Sequence, residues 1–205
     1  MSASAQSNVV ILLLAAGSSS RMRGRDKLLE PVSGQPLIAE RATTALASGV
    51  DTLIIALPPQ SEYPARWQAL DGVAAKLIEV ENPGKGMAES LKAGIAALPE
   101  TTSGVLILLA DMPEITSDDL RALLGAFDGE HILRGTAEDG TPGHPVLFPR
   151  RDFPALGQLR GDQGARDVLK AEYDRVRLIK LPASHALTDL DTPEDWARWR
   201  KERGT

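Results

Sequence analysis

Residues suited to holding a polyphosphate are crowded into one short stretch of this chain, Ala15-Ala16-Gly17-Ser18-Ser19-Ser20-Arg21, with Arg23, Arg25 and Lys27 close behind. Small residues let a ligand approach the backbone, and Gly17, without a Cβ, lets N–H groups turn toward an anion. The hydroxyls donate hydrogen bonds and the fixed positive charges neutralise phosphate oxygens. A second chemistry comes from carboxylates. Asp111 directly follows the apolar run 105–110, where a carboxylate must be paired, hydrogen-bonded or metal-bound; its plainer role is capping the turn before Pro113. Hard cations such as Mg²⁺ take one or two carboxylates and complete their shell with phosphates and water. Asp191 is the natural second carboxylate, with Asp189 beside it. The competing account of that segment is a helix start, with Thr192 as cap and Pro193 at the first position.

Three further segments carry polar groups between glycines. Asn82 to Ser90 sits at a strand-to-helix junction, where Gly86 permits close approach and Ser90 lies one turn into the helix. Gly143-His144-Pro145 is a candidate acceptor-binding element. In the segment 161–166, a helix start capped by Asp162 explains Asp162 better than Arg166. His131 and His185 read as packed or solvated.

The elements that must position these residues alternate. Val9–Leu14 is too short for a membrane span and the right length for a strand buried on both faces. Residues 51–57, 74–80 and 104–110 read as further strands, with helices over 36–48, 64–70, 87–98 and 117–127 between or after them. That order predicts an α/β fold with a mostly parallel central sheet covered on both faces. Residues 131–136 and 145–148 flank Asp139-Gly140, a turn signal, and predict a β-ribbon excursion at one edge. Helices over 152–159 and 164–172, a last strand over 175–181 and a terminal helix Pro193–Arg203 complete the chain. Ligands collect at the carboxyl ends of the strands in such a sheet, where all the candidate segments fall. For Asp111 and Asp191 to share one cation, the first, fourth and last strands should lie near one another at the centre. The two like charges should then repel in the metal-free protein.

The 205 residues, 42% of them hydrophobic, can bury a full core in one domain, here 9–205 after a disordered lead 1–8. A net charge of −5 argues against a nucleic-acid footprint. Zero cysteines exclude disulfides, thiolate metal sites and a Cys nucleophile. With no signal peptide and no apolar run long enough for a transmembrane helix, the chain reads as cytoplasmic, off the membrane.

The loop fits neither G-x-G-x-x-G nor G-x-x-x-x-G-K-[ST]. Instead L-A-A-G-x-S-x-R-M, K-L-L-x-P, N-P-x-x-G-M-x-x-S-L-x-A-G, D-M-P, G-H-P-V-L-F, G-D-x-G-A-R and D-x-D-T-P-E-D occur in that order over residues 9–199. Together they resemble the molybdenum cofactor cytidylyltransferase branch of the MobA-like nucleotidyltransferases. The loop departs from the family form by one extra residue, Arg23. The resemblance implies a Rossmann-like three-layer nucleotidyltransferase fold, Mg²⁺ as cofactor, and transfer of a nucleoside monophosphate from an NTP to a phosphate-bearing acceptor with release of pyrophosphate. It implies CTP and molybdopterin as substrates, and a molybdoenzyme or its chaperone as partner. By motif, Leu14, Ala15, Ala16, Gly17, Ser18, Ser19 and Arg21, with Asn82, Gly86 and Ser90, would hold the nucleotide. Lys27, Arg21 and Asp111 would be catalytic, Lys27 at the transferring phosphate, and Asp111 with Asp191 would hold the metal. Gly143, His144, Pro145, Asp162 and Arg166 would shape the acceptor side. Ala16, where the guanylyl branch commonly has Gly, would favour CTP over GTP. The alternatives are a guanylyltransferase for the same cofactor, a cytidylyltransferase for another small phosphate, a non-catalytic nucleotide-binding maturation protein, and a Rossmann-like oxidoreductase.

Overall fold

A run of apolar residues with no polar face has to be covered on both sides, and Val9–Leu14 is: all six residues are buried in strand β1. The computed structural model describes residues 8–161 and 164–204. After β1 come β2 (Thr52–Leu57), β3 (Lys76–Glu79), β4 (Gly104–Leu109), β5 (Ile132–Thr136), β6 (Pro142–Pro149) and β7 (Val176–Lys180). They form one seven-stranded sheet in the order β3-β2-β1-β4-β6-β5-β7. Every pairing is parallel except those of β6, which runs antiparallel to both β4 and β5.

Helices α1 (Leu37–Ala47), α2 (Pro64–Gln68), α3 (Met87–Ala96), α4 (Ser117–Ala126), α5 (Phe153–Leu156), α6 (Arg166–Ala171) and α7 (Pro193–Arg203) connect and cover the sheet. Alternation along β1 divides the core. Ile11 and Leu13 pack with Leu37 and Ile38 of α1, Leu120 and Leu123 of α4, and Trp196 and Trp199 of α7. Val10 and Leu12 face the opposite layer, with Leu91 of α3, Leu156 of α5 and Val168 of α6. The result is a three-layer α/β arrangement. No helix among the described residues is long and apolar enough to cross a membrane.

Two expectations about the sheet are corrected. The antiparallel ribbon is not an edge excursion: β6 is inserted between β4 and β5. Its residues from Pro145 to Pro149 are buried throughout, which an edge strand with one open side cannot provide. The last strand is the edge, not a central strand. Arg177, Leu178 and Lys180 are exposed and together represent both faces of β7, which only a strand at the margin of the sheet can leave uncovered. The helices expected over 152–159 and 164–172 are also shorter, at four and six residues.

What brings the C-terminal acids to the centre is the segment after β7. It folds back across the sheet through four backbone bonds: Leu181 N–H to Thr136 O, Glu138 N–H to Ala183 O, His144 N–H to Ala186 O and Leu190 N–H to Asp111 O. Gly143 makes this return possible, since a Cβ there would lie 1.9 Å from the Ala186 carbonyl oxygen. On the other side of β4, the strands β1 and β4 run parallel but the order in which the chain winds outward reverses between them, and a crevice opens at their carboxyl ends.

Gly143→Ala should therefore destabilise the fold by about 1–3 kcal/mol, the usual range for forcing a methyl into packed backbone. Equilibrium denaturation checks this. A loss below about 0.5 kcal/mol, the scatter of an ordinary surface change, would show that the 181–192 segment is not pinned at Gly143.

Candidate active site

The loop after β1 is held by a residue from a different element. Arg66 in α2 is fully buried, and its guanidinium donates to the Ala15 carbonyl at 2.6 Å, to both Asp26 oxygens at 2.6 and 2.9 Å, and to Ser19 Oγ at 3.2 Å. Asp26 in turn accepts from Leu28 N–H and from Ser19 Oγ, and Ser19 Oγ accepts from Lys27 N–H. One planar cation thus ties the beginning of the loop, at Ala15, to its end, at Lys27. The extra residue, Arg23, is absorbed by two left-handed residues, Arg23 at φ 53° and Gly24 at φ 87°, and its side chain pairs with Glu194 on α7.

Lys27 is delivered by this clamp to a cluster of carboxylates. Its Nζ lies 2.5 Å from Asp111 Oδ2 and 2.6 Å from Asp191 Oδ1, and Arg21 reaches Asp191 Oδ2 at 2.7 Å. The Leu190 N–H bond to Asp111 O seats Leu190 in the core, so that Asp189 and Asp191 flank Asp111 at the mouth of the crevice. Burial alone would lower the Lys27 pKa, but Asp111 and Asp191 outweigh it and hold the ammonium above the usual lysine value. Burial, reinforced by the charges of Asp111 and Asp191, pushes the Asp189 carboxyl above the usual range. The helix start at Thr192 is present as well: Thr192 and Asp195 form a reciprocal capping box with Pro193 in the first turn. That occupies Thr192 and Asp195 and leaves Asp189 and Asp191 to the crevice.

A cleft of about 610 Å³ results. Of the residues singled out from sequence, Leu14, Ala15, Ala16, Gly17, Ser18, Arg21, Lys27, Gly86, Ser90, Asp111 and Asp191 line it. Ser19 does not, because its hydroxyl is turned to Arg66 and Asp26. Asn82 lies outside it, exposed at the start of the 3₁₀ turn Pro83–Lys85. His144 and Arg166 come together in a neighbouring cavity of about 420 Å³, which shares Met87 with the cleft. Gly143 and Pro145 are buried in β6 and line neither space. Asp162 lies outside the described residues. Asp189, which the sequence offered beside Asp191, lines the cleft with it, whereas sequence reasoning missed Arg66, and Arg134 and Lys170 of the second cavity. Signals existed for two of them. Asp26 is a lone acid among four cations and needed a partner, and Arg134 interrupts a buried strand.

The donor set fits a divalent cation only with help. Asp111 Oδ1 is buried and has no hydrogen-bond partner among the described residues, the kind of orphaned oxygen that a metal would satisfy. Yet among the described residues no three acidic or histidine side chains are spaced to hold a metal by themselves. Two carboxylates with oxygens from a bound phosphate are what Mg²⁺ ordinarily takes.

The chain is 28% identical to the purine catabolism protein PucB of Bacillus subtilis, over 93% of this chain and 95% of that one. It is 27% identical to the nicotine blue oxidoreductase of Paenarthrobacter nicotinovorans (91% and 94%) and 28% identical to a "probable molybdenum cofactor guanylyltransferase" of Nostoc sp. (93% and 89%). Among solved structures, Rv0371c of Mycobacterium tuberculosis superposes with a TM-score of 0.82 at 27% identity, covering 96% of this chain and 99% of that one. The same protein has also been solved as a complex with manganese, which matches this chain with a TM-score of 0.75 at 26% identity, covering 93% and 97%. The model of the MobA-like NTP transferase domain matches residues 11–176, spanning the phosphate loop, Lys27, Asp111 and every strand up to the first residue of β7, and the chain belongs to that family of nucleotidyltransferases.

Proposed function

We propose that this member of the family transfers CMP from CTP to molybdopterin or a closely similar phosphate-bearing acceptor, with Mg²⁺ as its metal. The observation that carries the reading is Lys27, held charged between Asp111 and Asp191 at the mouth of a small-residue loop. In the reaction, an acceptor phosphate oxygen attacks the α-phosphorus in line. The new P–O bond forms as the bond from the α-phosphorus to the bridging oxygen breaks, and pyrophosphate leaves with the electron pair. Phosphate oxygens of the NTP compete with Asp111 and Asp191 for the Lys27 ammonium, and Arg21 lines the same cleft. Both cations then stabilise charge that grows in the transition state. A divalent metal on Asp111 and Asp191 would supply Lewis-acid polarisation of the triphosphate.

The choice of base rests on Ala16, which is 3% exposed and lines the cleft, so its methyl takes space that a purine would need. The Nostoc relative's name supports a second reading, GMP from GTP, and Ala16 stands against it. The Paenarthrobacter relative's name raises an oxidoreductase; against it, the loop after β1 has no G-x-G-x-x-G and carries instead the small residues and cations suited to a polyphosphate.

The deciding experiment supplies molybdopterin, Mg²⁺ and either CTP or GTP and measures pyrophosphate release. Release should be faster with CTP, and Lys27→Ala should lower it by roughly 10²-fold while CTP affinity changes much less, as for loss of one preorganised donor. Release with neither nucleotide would sink the proposal, and faster release with GTP would reverse the choice of base. A second prediction concerns charge. The folded pKa of Asp189 lies above its unfolded value, so its ionisation costs stability as pH rises through that window. Asp189→Asn should raise the denaturation midpoint at neutral pH, and the gain should vanish as pH falls below the usual carboxylate value. Equal midpoints at neutral pH would remove Asp189 from the repelling cluster.

A further inference from the structure

Asp111 and the acids at 189 and 191 come from distant parts of the chain, and the segments that carry them meet at a polar cluster away from the cleft. Asp111 begins a turn that runs to Ile115, and buried Arg41 of α1 grips it, donating to the Met112 carbonyl at 2.9 Å and the Ile115 carbonyl at 2.5 Å. Glu114 of the same turn accepts from Trp199 Nε1 and, at 2.9 Å, from Arg203, both on α7. His185, in the segment that returns from β7, joins this turn to the start of α4. Its Nδ1 lies 2.8 Å from Asp119 Oδ2 and its Nε2 3.9 Å from Glu114 Oε2. Asp119 is buried, and its Oδ2 already accepts from the Thr116 N–H at 2.8 Å and the Thr116 hydroxyl at 2.9 Å. A further partner at that oxygen must also donate, so His185 carries its hydrogen on Nδ1.

The residues between β7 and α7 form no helix or strand that could stiffen them. Local bonds do part of that work: the Ser184 carbonyl accepts from the Leu187 and Thr188 N–H groups, so 184–188 is a closed turn that moves as a unit. Backbone bonds at Ala186 and Leu190 pin it to His144 of β6 and to Asp111. Two such points leave an axis about which the segment can pivot. His185 adds the attachment on the α4 side that removes the pivot, and among the described residues of 182–188 it is the side chain hydrogen-bonded outside the segment, since Thr188 bonds back to Ser184. We propose that His185 is a positioning residue: through Asp119 it anchors the 184–188 turn to α4, and so fixes Asp189 and Asp191 against Asp111, whose own turn Arg41 holds. The proposal rests on the reading that Asp111 and Asp191 share a cation when nucleotide is bound, and adds what sets the two acids in register. Groups that orient metal ligands without touching the metal typically carry about 10- to 100-fold of its affinity.

The test compares the full wild-type chain with His185→Leu, which keeps bulk and removes both ring nitrogens, and with His185→Asn, whose amide donates from near the Nδ1 position. In amide hydrogen exchange without ligands, the Leu190 N–H should exchange about tenfold or more faster in His185→Leu, as for loss of a hydrogen bond to a charged group. The amides of β1 should exchange as in wild type, and His185→Asn should restore Leu190. In calorimetry with saturating CTP, His185→Leu should bind Mg²⁺ about 10- to 100-fold more weakly, and His185→Asn should recover most of that affinity. CTP affinity without Mg²⁺ should change by less than about twofold, as for sites that share no partners. A residue that only holds the fold together would speed exchange in β1 as well and weaken both ligands alike. Wild-type exchange at Leu190 in His185→Leu, equal losses of CTP and Mg²⁺, or no recovery in His185→Asn would each overturn the proposal. If wild type itself binds no Mg²⁺ beside CTP, the reading of the two acids as a metal site falls instead, and the exchange rates alone decide whether His185 anchors the segment.

Discussion

Three carboxylates cannot be gathered in a half-buried crevice without a cation among them, and Lys27 is the cation that reaches two of them. Close like charges in a medium poorer than water repel strongly, and each raises the proton affinity of its neighbours. The expectation that Asp111 and Asp191 would simply repel in the free protein omitted this. With Lys27 at 2.5 and 2.6 Å, and Arg21 on the far oxygen of Asp191, the burden of repulsion falls on Asp189, which has no such partner in the cluster. The ammonium therefore holds Asp111 and Asp191 in place.

Everything upstream positions that one ammonium. Six residues of buried strand fix where Ala15 emerges, and the Arg66–Asp26 pair fixes how the chain returns to Lys27. A fully buried guanidinium and its carboxylate gain little net stability over apolar packing, because desolvation offsets their attraction. Their value here is geometric, since they hold both ends of a loop whose own residues are small and conformationally free. From the other side, the Leu190 N–H bond to Asp111 O and the glycine at 143 fix where the C-terminal acids arrive.

Strands and motifs were legible because their signals are local. Val9–Leu14 and Gly104–Leu109 are apolar runs of strand length, and the capping box at Thr192 announces α7 at its first residue. The residues that line the cleft after β1 followed from the order strand, small residues, cations. What was not legible is long-range. Nothing in residues 142–149 says that this strand runs backwards inside the sheet, or that β7 ends up at the edge; only the pairing partners decide that. Arg66 lies in a five-residue helix too short to show a period, 40 positions from the aspartate that it meets. Ser19 looked like a phosphate donor by type, but its hydroxyl is engaged by the clamp.

If CTP and Mg²⁺ are the ligands, as proposed above, Lys27 stands in for a cation until the two arrive together. Calorimetric titration of Mg²⁺ into wild type and Lys27→Ala, each with and without CTP, tests it most directly. Without nucleotide, wild type should bind Mg²⁺ weakly and CTP should tighten it by at least about tenfold, because phosphate oxygens complete the shell. In the same nucleotide-free condition, Lys27→Ala should bind Mg²⁺ more tightly than wild type, since the two carboxylates are then released to the metal. Tight Mg²⁺ binding by wild type without CTP, or weaker nucleotide-free binding by Lys27→Ala, would contradict the claim.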